Sequence, residues 1–293
     1  MKGALARANM RAFRTAWVLT KVSVTGFIED NALSHGAAMA FYAATSLAPI
    51  LLIVVAIAGL AVGHDAAEVA LSAEISGLMG PQSATLLRAA VEGASNQTSG
   101  TMAAIVGTVT LLVTASGVFG EMQTALNAIW KIEPGGSSLA RIVRARAASL
   151  GLVAALGFLL LVSLVASTAI SALGNLLNSY LPFGEVIASS INTVFSFALI
   201  TVLFAAIYKV LPDRSLSWRD VGLGAVVTAA LFTVGKSLIG WYLGTSATAS
   251  SYGAAGGLII TLLWVYYSSQ IFLLGAEFTR AYSLWRAPGR TSR

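Results

Sequence analysis

Apolar residues lie in long, nearly uninterrupted blocks along this chain, and six of these blocks are long enough to cross a membrane. A helix rises 1.5 Å per residue, so about 20 apolar residues cross roughly 30 Å of hydrocarbon. The pattern therefore predicts an all-α, polytopic membrane protein with six transmembrane helices. The predicted spans lie near residues 35–62, 102–126, 148–173, 186–209, 221–243 and 253–279.

Two segments outside these spans have an amphipathic pattern. In the N-terminal segment 1–33, residues 10–28 carry an apolar stripe and a separate basic stripe at helical spacing. This predicts a cytoplasmic interfacial helix whose basic face meets anionic headgroups, or else a helix packed on the bundle, and both interpretations stay open. Segment 63–101 is predicted to form a small external part with two short helices, interrupted at Pro81. The apolar stripe consists of Met10, Phe13, Trp17, Val24 and Phe27.

Basic residues cluster in alternate segments of the chain. Lys and Arg number five before the first span, then one, four, none, three and none in successive loops, and four in the tail 280–293; Lys236 completes the 18. Loops rich in Lys and Arg stay in the cytoplasm, so both termini are predicted to be cytoplasmic. The net charge of +6 is accordingly attributed to basic residues that orient the chain in the membrane, and no nucleic-acid partner is expected. Residues 1–293 are predicted to form a single membrane domain.

Composition argues against several classes of function. Only 10% of the residues are charged, whereas a soluble globular domain has about 25%. The lack of cysteine excludes disulfides, iron–sulfur clusters and thiolate zinc sites. The two histidines, His35 and His64, are predicted to lie on opposite sides of the membrane, and the chain has neither a Gly-x-Ser-x-Gly elbow nor a phosphate-binding P-loop. We therefore expect no enzymatic activity, no metal site and no cofactor.

Four stretches of the chain form a recognisable series of motifs. They are Asp30–Pro49, Gly120–Trp130, Tyr208–Pro212 followed by Trp218, and Tyr252–Tyr267 leading to Gly275–Glu277. In these stretches and in their order, the chain resembles the YihY/BrkB family of bacterial inner-membrane proteins. The resemblance implies a six-helix protein of the bacterial inner membrane. Some members of that family carry the label of a ribonuclease and others of a virulence factor, and transport of a lipid-like molecule has been suggested for the family.

Lys236 is an ionisable residue within a predicted span, where a charge is costly unless it is paired or hydrated. It lies about 16 residues into an outward-running helix, and its side chain leans back toward the helix N-terminus. One interpretation is a cationic contact for a phosphate or carboxylate headgroup that crosses the membrane. The other is a lysine capped by carbonyls or by polar side chains such as Asn175 and Asn192. Both stay open.

Five further polar residues are predicted at similar depth near the cytoplasmic ends of the spans. They form either a proton relay or gate, since His and Glu can titrate near neutral pH when partly buried, or a structural network that ties helix ends together. Pro49 should kink the first span and is either a hinge or a structural kink. The five polar residues are Asp30, His35, Glu121, Lys209 and Glu277.

Small residues recur every four positions in several spans, which lets helices approach closely in lipid. Such stripes serve contacts within one copy or the face of a homo-oligomer. The leading functional hypothesis is a transporter or flippase for an amphipathic, anionic, lipid-like substrate, with membrane lipids as partners. The alternative is a scaffold that transports nothing and recruits envelope or cytoplasmic partners; an enzyme ranks third. The stripes include Gly36/Ala40/Ala44/Ala48, Gly240/Gly244 and Gly253/Gly257.

Overall fold

The computed structural model describes residues 2–79, 84–85, 88–89, 117–132, 184–245 and 254–286, with single positions at 151, 159, 162, 166 and 170. Within these residues the chain is helical apart from short turns, so the predicted all-α class is confirmed. The helices are α1 (Lys2–Glu29), α2 (Ala32–Val62), α3 (His64–Met79), α4 (described over 117–129), α5 (Gly184–Val210), α6 (Trp218–Thr245) and α7 (Ala254–Arg286).

Three helices in the described part of the chain are long and apolar enough to cross a membrane. Their apolar stretches are Val186–Val210 in α5, Trp218–Ile239 in α6 and Gly256–Arg286 in α7. They coincide with the last three predicted spans. The predicted span 35–62 lies within the continuous helix α2. Most of 102–126 and 148–173 lies outside the described residues, so the count of six spans and the orientation of the termini stay predictions.

Helix α7 is the centre of the described bundle. It packs against α6, α2 and α1, while α5 packs on α6 and α3 packs on α2. The hydrophobic core lies between α4, α5, α6 and α7 and includes an aromatic group in which Tyr208 and Phe272 stack at 5.3 Å. Because α7 contacts several helices, side chains on its different faces join distant parts of the sequence.

Helices α6 and α7 interlock through two Gly-x-x-x-Thr pairs. Thr279 of α7 lies against Gly224 of α6, and Thr228 of α6 lies against Gly275 of α7. Each threonine hydroxyl donates to the carbonyl of the glycine four residues earlier on its own helix, at 2.7 Å in both cases. A glycine thus makes room for the partner helix's threonine at both levels, which brings the two backbones close together.

The helices end at turns whose residues tolerate the backbone conformation that the turn requires. Asn31, in the left-handed conformation (φ 52), separates α1 from α2, and asparagine tolerates this conformation better than most residues. Lys131, also left-handed (φ 51), ends the turn after α4. Helix α5 ends shortly before Pro212, which disfavours a helical residue ahead of it.

Two predicted boundaries differ from the structure. Helix α7 continues to Arg286, although the tail was predicted to begin at residue 280. Its last two turns are held by tertiary contacts, because Ala281 is buried and Arg286 donates to Asp220 at 2.9 Å. The predicted N-terminal helix is longer than residues 10–28, since α1 runs from Lys2 to Glu29.

Helix α1 has one packed face and one exposed apolar face. Leu19, Ser23 and Gly26 are buried on the side that meets α7, whereas Trp17 and Val24 are exposed. A helix that packs on the bundle and also presents apolar side chains outward combines features of both predicted interpretations. Its placement on a membrane leaflet stays a prediction.

Candidate functional site

Asp30 follows the last residue of α1, and the left-handed turn at Asn31 directs the chain into α2 immediately afterwards. The Asp30 side chain is only 5% exposed. Its Oδ1 accepts from the Lys131 ammonium, which comes from the turn after α4. The left-handed turns at Asn31 and Lys131 are therefore joined by one ion pair, whose Asp30 side is buried and whose Lys131 side is exposed.

Glu277 lies on the face of α7 that meets α1 and is 2% exposed. Its carboxyl group packs against Gly26, where an added Cβ would lie 2.5 Å from Oε2. The Asp30 carboxyl lies near it, because both groups are within 4.0 Å of Arg280 Nη1. We call Asp30, Lys131, Glu277 and Arg280 the junction cluster, because they join α1, the end of α4 and α7.

Arg280 supplies the second positive charge of the junction cluster. Its Nη1 lies 3.8 Å from Glu277 Oε2 and 4.0 Å from Asp30 Oδ2, which are ion-pair distances beyond normal hydrogen bonds. Asp30 Oδ2 and Glu277 Oε1 are buried and have no hydrogen-bond partner among the described residues. Such orphaned acceptors are uncommon and costly, so the junction cluster is electrostatically unsatisfied as it stands.

His35 and Glu121 form a second ionisable pair, which joins α2 to α4. The distance from His35 Nδ1 to Glu121 Oε1 is 2.7 Å, and both side chains are about four-fifths buried. About two turns before Glu277 along α7, Gln270 packs against Gly36, and neither of its amide atoms has a hydrogen-bond partner among the described residues. Polar side chains thus lie in the contacts of α2 with both α4 and α7.

Lys209 has local contacts that differ from those of the junction cluster. Its ammonium donates to the Leu216 carbonyl and lies 5.3 Å from the centre of the Trp218 ring. These contacts brace the turn between α5 and α6. Of the five predicted inner-side residues, the structure therefore brings Asp30 and Glu277 together, pairs His35 with Glu121, and gives Lys209 a separate capping role.

Several residues of this region were not singled out by sequence reasoning. Lys131 and Arg280 were interpreted only as charges that orient the chain in the membrane, although acidic residues lie close to both of them in the sequence. Asp213, in the turn after α5, accepts from Gln123 at 3.2 Å and from Asn127 at 2.8 Å. These bonds fasten the α5–α6 turn to α4, and only the polar character of Asp213 gave any signal for it in the sequence.

Lys236 is half-buried in α6, one helical turn beyond Phe232 on the same side. Phe232 packs edge-on against Phe204 of α5 and Trp264 of α7, with ring centres 5.8 and 6.2 Å apart. The opposite side of α6 carries Val234, which is 61% exposed. Lys236 therefore lies on the side of α6 that meets α5 and α7. It makes no hydrogen bond or ion pair within the described part of the chain.

Asn192 lies on α5, half-buried, and has a bonding partner. Tyr208–Thr228 and Phe204–Phe232 contacts set the antiparallel register of α5 on α6, and this register places Lys236 level with residue 200. Asn192 is then two turns, roughly 12 Å, further toward the α5 N-terminus. Asn175 lies outside the described residues. Pro49 lies within the continuous helix α2, and its role as a hinge stays a prediction.

No group of three or more His, Cys, Asp or Glu side chains that could hold a metal occurs in the described ranges. A small cleft lies between α2, α3 and the residues Ala84 and Arg88, and its lining is mostly apolar. The Glu68–Arg88 ion pair, at 3.2 Å, lies beside it. This cleft is remote in sequence from both the junction cluster and Lys236.

Comparison with known proteins identifies relatives across most of the chain. The family described as Virulence factor BrkB matches residues 23–293. A UPF0761 membrane protein of Halorhodospira halophila is 32% identical over 191 residues, which is 64% of this chain and 41% of that protein. A UPF0761 membrane protein of Alkalilimnicola ehrlichii is 27% identical over 262 residues, 87% of this chain and 56% of that protein. The predicted resemblance to the YihY/BrkB family is confirmed.

A third relative, from Bacillus subtilis, is named ribonuclease-like protein YfkH; it is 27% identical over 175 residues, 58% of this chain and 62% of that protein. The chain spans about half the length of the curated relatives it matches first. No solved structure matches the chain.

Proposed function

Because the chain belongs to the BrkB family of membrane proteins, we propose that it transports or flips an amphipathic, anionic, lipid-like molecule across the bacterial inner membrane, with both termini in the cytoplasm. The observation that carries the proposal is Lys236. It is a half-buried cation within the apolar stretch Trp218–Ile239, and no described residue pairs with it. Cations at such depth are costly and commonly serve substrate pathways.

A second unpaired donor supports an anionic ligand at this level. The indole Nε1 of Trp264 is buried and has no acceptor among the described residues. The Trp264 ring contacts Phe232, which lies one turn before Lys236 on the same side of α6, so the indole and the ammonium are on the same side of this helix. An anionic phosphate or carboxylate group in this region would meet two donors that have no partner among the described residues.

The test is lipid translocation in proteoliposomes that contain the full chain. Fluorescent lipids with an anionic or a zwitterionic headgroup are placed in both leaflets, and a membrane-impermeant reductant reports their exchange. We expect faster exchange of the anionic lipid. Lys236→Met leaves an unbranched side chain one atom shorter and removes its charge, so it should slow this exchange roughly tenfold to a hundredfold, the equivalent of losing one charged hydrogen bond.

Arg219→Gln is the matched control, because Arg219 is an exposed cation in the first turn of the same helix. It should leave the exchange rate unchanged. Equal rates for Lys236→Met and the unaltered protein would contradict the site, and exchange no faster than in protein-free vesicles would contradict the function.

A scaffold that transports nothing is the second candidate, and the tight α6–α7 contact favours it. The side chains of Thr228 and Thr279 fill the space above Gly275 and Gly224, so no passage runs between these helices at that level. The exposed face of α1 and the external segment would then carry the function by recruiting partners. Folded protein that fails to exchange lipids while retaining a partner on α1 would support this candidate. Enzymatic activity forms no part of either proposal.

A further inference from the structure

The surroundings of Glu277 fit a neutral carboxyl group better than an ionised one. The side chain is 2% exposed, and its Oε1 has no hydrogen-bond donor among the described residues. Arg280, at 3.8 Å from Oε2, is too far to donate a normal hydrogen bond. A buried carboxylate without donors loses its hydration and gains little in return.

Asp30 has a charged hydrogen-bond donor at one of its oxygens. Its Oδ1 already accepts from the Lys131 ammonium. Its Oδ2 is buried and still lacks a donor among the described residues. Both carboxyl groups lie within 4.0 Å of Arg280 Nη1 and therefore near one another, so two ionised groups would repel each other, whereas one proton would supply the donor that both lack.

We propose that Asp30 and Glu277 form a proton-binding site, in which one proton taken from water is bound to Glu277 and hydrogen-bonded to the Asp30 carboxylate. Binding forms one O–H bond on a Glu277 carboxylate oxygen and breaks one in hydronium, so no other reactant is needed. The proton is also the driving ion for transport, and this second part rests on the function proposed above.

The other charged groups around this site are few. Among the described residues, Asp30 from α1, Lys131 from the turn after α4, and Arg280 from α7 itself are those that act on Glu277 electrostatically. Helices α2 and α6, which also pack on α7, contribute none. With the proton bound, the four residues carry one net positive charge, and without it they are neutral but leave a bare carboxylate buried against Gly26.

Gly26 makes the site sensitive to the position of α1. Glu277 fits only because Gly26 has no side chain, since a Cβ there would lie 2.5 Å from Oε2. Loss of the proton introduces repulsion between Asp30 at the end of α1 and Glu277 on α7. The proton therefore holds α1 against α7, and its release favours their separation.

Infrared spectroscopy of the full chain in lipid nanodiscs tests the site without any transport assay. At pH 7 exposed carboxyl groups, with pKa values of about 4, are ionised, so a remaining carbonyl band of a protonated carboxyl group reports a buried acid. We expect such a band in the unaltered protein. Glu277→Gln, which is nearly isosteric, should abolish it, and Asp30→Asn should shift it by changing its hydrogen-bond acceptor.

Glu29→Gln is the control, since Glu29 is an exposed neighbour of Asp30 on α1, and it should leave the band intact. If Glu277→Gln does not fold, Glu277→Asp should shift the band in its place. Absence of the band, or a band that substitution of Glu277 does not change, would overturn the proton site. Lipid exchange that does not respond to an imposed pH gradient, with the band present, would overturn only the coupling. A protein that moves no lipid but shows the band would retain the site and lose the transport function.

Discussion

The interlocked glycines of α6 and α7 offer a quantitative test of the packing. In Gly275→Ala, the new Cβ would overlap the Thr228 hydroxyl and would lie 2.7 Å from the Tyr208 hydroxyl and 2.8 Å from Thr228 Cβ. The atoms in the way belong to a buried β-branched residue and a buried ring, which cannot move aside easily. We therefore expect the substitution to destabilise the protein.

The magnitude follows from three contributions. Overpacking a well-packed core costs about 1–3 kcal/mol. Displacing Thr228 also breaks its 3.0 Å hydrogen bond with Tyr208, which is worth about 1 kcal/mol. Replacing glycine by alanine inside a helix returns up to about 1 kcal/mol. The net loss should be about 1–3 kcal/mol in the free energy of unfolding.

The assay is unfolding in mixed micelles by titration with SDS, followed by circular dichroism. Gly222→Ala is the matched control, because Gly222 also lies in α6 and no atom approaches its added Cβ within 4 Å. It should be neutral or slightly stabilising. The double variant Thr228→Gly/Gly275→Ala removes the obstructing side chain, so a double-mutant cycle should give a favourable coupling of about 1 kcal/mol or more. Equal stability of Gly275→Ala and Gly222→Ala, or a coupling near zero, would refute the interlock.

Two other substitutions test helix ends. Asn31→Val should destabilise by about 1–2 kcal/mol because a β-branched residue disfavours the left-handed turn, whereas Asn31→Gly should be neutral or stabilising; equal thermal midpoints of the two variants would contradict this. Arg286→Gln should cost at most about 1 kcal/mol, because its bond to Asp220 is partly exposed, and high salt should remove the difference. A loss that salt does not change would show that the contact is not electrostatic.

The sequence predicted the helical class and the positions of the last three apolar helices closely. The length of an apolar block determines which residues can form a helix across the hydrocarbon. The apolar stretches of α5, α6 and α7 match the predicted blocks. The C-terminal extension of α7 was not predictable in the same way. Residues 280–286 are mixed in polarity, and their helical state depends on Arg280 and Arg286 meeting acids on other helices.

The partners of individual side chains were harder to predict than the depth of each residue along its helix. Asp30 and Glu277 were placed at a common level by counting residues along their helices, and the structure brings them together. Lys131 and Arg280 could not be assigned to them, because hydropathy does not specify which helices are neighbours. The same limit applies to Gly224 and Gly275, since Gly-x-x-x-Thr is one of many small-residue spacings in an apolar chain and only the packing selects it.

The contact between α1 and α7 has a consequence for how the protein is made. Helix α1 leaves the ribosome first among the described helices and α7 last, yet Glu277 and Arg280 of α7 surround Asp30 at the end of α1. Until α7 is synthesised, Asp30 and Gly26 lack the surface on which they become buried. Helix α1 therefore stays undocked from α7 while the other helices are inserted. Its docking is a late step of assembly, and a docked α1 indicates to cellular quality control that synthesis has proceeded through α7.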